Sequence, residues 1–113
     1  MGAVSAPVIT TGKTVSNVYE VAKQPKGKYH GWLKQQQKLP VYLLEKAIRS
    51  FEKLILEHES WLQDPTRKVP GFYQLPIGQQ QHLLEKHWPD DIQRHRDSIE
   101  ILKGIIREKE HGE

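Results

Sequence analysis

Apolar residues recur at helical spacing over two long stretches. Between Pro40 and Pro65, the positions Leu44, Ala47, Ile48, Phe51, Leu54, Ile55, His58 and Leu62 follow the i, i+3, i+4 rule and share one face of a helix. Pro40 suits the first position of that helix, and Pro65 ends it by disfavouring helical backbone at Asp64. A second helix is predicted from Asp90, its N-cap, to about Lys109. Its stripe is Ile92, His95, Ile99, Leu102 and Ile106, with Ile101 and Ile105 on the flank. Gly104 costs that helix about 1 kcal/mol relative to alanine, so close packing of another backbone is its expected reason. A shorter helix from Gly78 to Trp88 is expected to stop at Pro89.

The remaining segments carry weaker patterns. Residues 1–14 are small, β-branched and polar without a period, and read as a linker or frayed arm. Val15, Val18, Tyr19 and Ala22 allow a short helix over 15–23. Pro25 to Trp32, with Gly27 and Gly31, predicts a loop displaying His30 beside two aromatic residues and two lysines. Residues 66–76 read as a connection docked by Phe72 and Tyr73. No run alternates as a strand would. The predicted architecture is all-α, an antiparallel pair of long helices with shorter helices and a basic N-terminal loop or arm. The domain reading is a linker or partly ordered arm over 1–24 and a single helical domain over 25–113.

Composition narrows the class. With 113 residues, 36% hydrophobic and 27% charged, the chain suits one small soluble domain. The absence of cysteine removes disulfide frameworks, thiolate metal sites and cysteine nucleophiles. No apolar run approaches the roughly 18 residues that span a bilayer, and residues 1–25 lack the charged and apolar regions of a signal peptide. The net charge is only +3, yet residues 1–39 carry Lys13, Lys23, Lys26, Lys28, Lys34 and Lys38 against the single acid Glu20. Such a basic leading third either contacts an anionic partner or is a solvated arm.

Phosphate-binding Gly-rich loops, H-E-x-x-H and G-x-S-x-G are absent. His82 and His87 lie five apart, roughly 140° around an α-helix, and so do not form a metal pair there. No metal and no cofactor are expected. Histidine placement is the informative feature: His30 in the basic loop, His58 in the first apolar stripe and His95 in the second. A lone histidine on an apolar face is ordinarily a core residue bonded to backbone or carboxylate. Three such placements together suggest acid–base work. Asp91, four residues before His95, is expected to orient that imidazole and raise its pKa. Histidines and cations without metal ligands suit cleavage of RNA through its own 2′-hydroxyl, which needs a base, an acid and a cation on the phosphorane. Lys28, Lys46 and Arg49 are the candidate phosphate contacts, and Tyr29 could stack a base. Trp32 is expected to cap the core, and Trp61 and Trp88 to lie in core or interface.

The blocks G-K-Y-H-G-W (27–32), A-I-R-S-F-E-K (47–53), E-H-E-S-W-L-Q-D-P (57–65), H-W-P-D-D-I (87–92) and I-E-I-L-K-G (99–104) together resemble small C-terminal toxin domains of bacterial polymorphic toxins. These belong to the contact-dependent growth inhibition and filamentous-haemagglutinin-like proteins. The resemblance covers about residues 25–107. It implies an effector carried on a larger secreted parent, acting in the cytoplasm of a target cell and neutralised by a cognate immunity protein. It further implies a nuclease acting on RNA, often transfer RNA, with a translation elongation factor as a possible partner. The competing class is a non-catalytic helical protein-binding module, marked by a large exposed apolar patch. A third is a toxin acting on DNA or membranes. Membrane insertion is disfavoured by well-formed polar helix faces and a mean hydropathy of −0.70.

Overall fold

The computed structural model describes the backbone of residues 10–111 and the side chains of residues 17–111. Among these, the chain is all-α and contains no strand. Five α-helices follow in order: α1 Thr10–Lys23, α2 His30–Gln36, α3 Val41–Gln63, α4 Ile77–His82 and α5 Trp88–Glu110. Two 3₁₀ turns, Pro65–Arg67 and Phe72–Gln74, connect α3 to α4, and a π-helical turn, Leu83–His87, joins α4 to α5. The two long helices foreseen from periodicity are α3 and α5, each of 23 residues.

Two compact units make up the chain. The first comprises residues 1–48 and 97–113, the second residues 49–96. The first unit buries Tyr19, Ala22, Leu33, Leu44, Ile99, Ile101, Leu102 and Ile105. The short helix allowed over 15–23 lies within α1, which supplies Tyr19 and Ala22 to this core. The first nine residues, and the side chains of Lys13 and Val15, lie outside the described residues. Gly104 is explained by α1 as well. A Cβ there would stand 2.4–2.6 Å from atoms of the Tyr19 ring. The close neighbour is thus an aromatic ring, not a second backbone. Ile101 and Ile105, expected on the flank, are buried because α5 buries a second face here. Lys23 Nζ donates to Glu108 Oε2 at 2.9 Å. Burial by itself would raise the Glu108 pKa, but Lys23 outweighs it and the carboxyl is held below its usual range.

The second unit is built from rings. Phe72 is fully buried, Trp88 and Ile92 nearly so, and His58 is only 7% exposed. Trp88 meets Trp61 at 5.8 Å and Phe72 at 6.1 Å between centroids, and Lys68 sits over Trp61 at 4.8 Å. Of the aromatic pair expected to dock, Phe72 does so while Tyr73 stays exposed. Asp64 ends α3 by accepting from the Thr66 N–H and hydroxyl, with Pro65 following it.

Pro89 does not stop the helix. It lies in the first turn of α5, and the π-turn before it absorbs the damage. Proline has no N–H to give the carbonyl of Glu85, and its ring crowds that oxygen in a regular helix. The wider turn relieves this, and the Trp88 N–H reaches back to Leu83. Asp90 is consequently inside α5 and does not cap it. Its carboxylate instead meets Lys86 Nζ at 2.8 Å.

Candidate functional site

Asp91 and His95 are one turn apart on α5, and within the second unit α3 brings His58 to both of them. The stripe spacing that placed His58 and His95 on apolar faces is what makes them meet. Their rings are 5.4 Å apart and edge-on. His58 Nδ1–H donates to the Leu54 carbonyl at 2.8 Å, a bond in which the carbonyl can only accept. Its Nε2 faces Asp91 Oδ2 at 3.4 Å, and Trp61 covers the ring at 4.4 Å. Both nitrogens of His58 therefore face acceptors.

His95 occupies the opposite environment. It packs against Phe51 at 5.5 Å, and its pKa falls below the ordinary histidine value. Burial is the main cause, followed by the positive charges of His58 and Arg94, against which Asp91 pulls weakly. Asp91 does push the His95 pKa up, as expected, but burial and the neighbouring charges outweigh it and the net direction is down. Asp91 serves other groups: Oδ1 accepts from Arg94, and Oδ2 lies 3.4 Å from His58 Nε2 and 3.6 Å from His87 Nε2. Arg49 is on α3 in this same unit, exposed.

The other candidates belong to the first unit. His30 is not in a loop; it opens α2, and its Nδ1–H donates to the Ala22 carbonyl at 2.9 Å. This bond leaves Nε2 as the basic nitrogen of the neutral ring. Gly27 makes the turn before it possible, since a Cβ there would fall 1.7 Å from the Val21 carbonyl oxygen. Tyr29 precedes α2 with φ at 71°, a left-handed backbone that a tyrosine rarely adopts. Its hydroxyl donates to Asp97 Oδ2 at 3.2 Å, and the Lys28 ammonium lies 5.1 Å from its ring centre. Burial pushes the Tyr29 phenol up, and Asp97 adds to it. These three residues, with Asn17, Val18 and Val21, line a cavity of about 160 Å³. Lys46 is exposed on α3. Trp32 is half-buried, as a residue capping a core would be.

Asp97 carries no signal in the sequence, and His87 enters there only as half of a rejected metal pair with His82. Asp97 is 68 residues from Tyr29, so no local signal joins them. His87 faces Asp91 at the ordinary i,i+4 spacing of a helix. Comparison with protein-family models, curated protein sequences and solved structures finds no match for this chain. No helix among the described residues is long and apolar enough to cross a membrane.

Proposed function

We propose that the chain is an effector domain that cleaves RNA by general acid–base catalysis, with His95 as the base and His58 as the acid. One observation carries this reading: two imidazoles 5.4 Å apart sit in opposite electrostatic surroundings. His95, held neutral by burial and by neighbouring cations, can accept the 2′-hydroxyl proton. The 2′-oxygen then attacks phosphorus and the bond to the 5′-oxygen breaks. His58 is the acid proposed for the leaving 5′-oxygen: Nδ1 stays on the Leu54 carbonyl, and Nε2–H must turn from Asp91 to the oxygen that receives its proton. The products are a 2′,3′-cyclic phosphate and a 5′-hydroxyl. Arg49, in the same unit as the two histidines, is the cation proposed for the phosphorane; Lys28, Lys46, Tyr29 and His30 are separately proposed as RNA contacts of the first unit. The toxin resemblance favours transfer RNA as substrate, a cognate immunity protein as partner and delivery by a larger parent protein.

The test is cleavage of total bacterial RNA by the purified chain, compared with His58→Gln and His95→Gln. Glutamine keeps volume and hydrogen bonding but moves no proton near neutral pH. Each variant, folded by circular dichroism, is expected to lose activity by about 10²–10⁴-fold. A folded variant with full activity refutes the assignment of that histidine. A second reading, a non-catalytic binding module, is favoured by Tyr73 and Ile77, which are 66% and 64% exposed. Intact RNA with the wild-type chain would select it.

A further inference from the structure

On a regular α-helix with its 100° step, His82 and His87 would stand roughly 140° apart. The segment between them is the π-turn Leu83–His87. A π-turn closes on i→i+5 hydrogen bonds, so residues five apart return to nearly the same face. The two imidazoles accordingly lie almost parallel, 20° between planes, with centroids 6.0 Å apart. Both side chains are exposed, so neither is held in place by core packing.

Two metal–nitrogen bonds of about 2.0–2.1 Å, each extended from nitrogen to ring centre, span about 5–6 Å between centroids in a bent arrangement. The observed separation falls in that range, and the exposed rings must rotate from their near-parallel arrangement until an ion lies in both ring planes. His87 has a further advantage. Its Nε2 lies 3.6 Å from Asp91 Oδ2, which leaves Nδ1 for a metal while Nε2–H turns to the carboxylate. A carboxylate behind a ligating histidine fixes its tautomer and raises its basicity.

We propose that His82 and His87 form a two-imidazole surface site for a borderline transition-metal ion, Cu²⁺ first, then Ni²⁺ and Zn²⁺. Imidazole nitrogen suits these ions, and the order follows their general affinity for nitrogen donors. Calcium and magnesium demand oxygen ligands and are excluded by the donor set. Among the described residues no group of three histidine, cysteine or acidic side chains could hold a metal. The remaining coordination positions fall to water or a bound anion, so the ion is exchangeable. This inference stands apart from the proposed RNA cleavage.

The test is titration of the full chain with NiCl₂ and CuCl₂, followed by calorimetry and by NMR of the imidazole protons. One equivalent is expected to bind, broadening the His82 and His87 signals first. Affinity falls with acid, because protons compete for the ring nitrogens. Loss of an outer-shell partner already costs a metal site about 10–100-fold, so loss of a ligand in His82→Ala or His87→Ala should weaken binding by at least about 100-fold. His111→Ala should leave it unchanged, and MgCl₂ should produce no response. Both substituted residues are exposed, and circular dichroism checks that each variant is folded. Absence of binding to the wild-type chain, or unchanged affinity in either single variant, overturns the proposal.

Discussion

The two units solve the same packing problem with different chemistry. The first closes on aliphatic side chains, Leu33, Leu44, Ile101, Leu102 and Ile105, all essentially without exposure. The charges that support it, Lys23 and Glu108, are paired outside that core. The second packs rings on rings and includes an imidazole, His58, among its buried groups, with Asp91 against it. An aliphatic core is indifferent to protons. A core that contains histidine and carboxylate ties its stability to pH, and the same residues that complete the packing can move protons.

Truncation separates the two most sharply. Phe72→Ala should cost about 3–5 kcal/mol, because a fully buried ring leaves a cavity that Trp88 cannot fill. Gly104→Ala comes next. Helix propensity alone favours alanine by about 1 kcal/mol, yet the methyl would strike the Tyr19 ring, so a net loss of about 1–3 kcal/mol is expected. Denaturant melts of both variants check these values. A stabilised Gly104→Ala protein would show that α1 does not press on α5.

Acidification should divide the units. His95 has a lowered pKa in the folded chain, so the unfolded chain binds the proton more readily. Stability from this residue is present above the ordinary histidine value of about 6.5 and is lost as pH falls below it. Glu108, also lowered, contributes above the ordinary carboxylate value of about 4.3 and loses its contribution only as pH falls below that. Hydrogen exchange at pH 7 and pH 5.5 should show protection falling in the second unit first. Equal losses in both units would erase the distinction, and His95→Gln should flatten the response between these pH values. The smallest effect is expected at Tyr19→Phe. The Tyr19 hydroxyl is buried with Glu108 beside it but not in good hydrogen-bond geometry; burial first, then Glu108, pushes its pKa up. Its removal should leave thermal stability unchanged or raised, within about 1 kcal/mol.

Periodicity made the long helices legible, because an apolar stripe on α3 or α5 is a local property. It also foretold that His58 and His95 would face inward. What it could not supply was the identity of the facing atoms. Asp91 was matched to His95 by spacing along one helix, but its oxygens turned to His58, His87 and Arg94. Ile101 and Ile105 looked peripheral because α1 had been read as an arm, leaving the second face of α5 without a partner. His30 was placed in a loop by the glycines beside it, although Gly31 sits within α2 and only the turn at Gly27 demands glycine. Pro89 was read as a stop, since the rule for proline describes a regular helix and not one with a wider turn before it.

That wider turn has a genetic consequence. A π-turn is what a helix looks like when its gene has gained one codon without losing the helix. Deleting any one residue between Leu83 and His87 would let the chain close as an ordinary α-helix. Everything after the deletion would then rotate by about 100° relative to Ile77–His82. Asp91 and His95 would turn with α5, and Pro89 would again press on the carbonyl one turn before it. The length of this segment is therefore under tighter constraint than its composition: substitutions among its exposed residues are tolerable where a one-codon deletion is not.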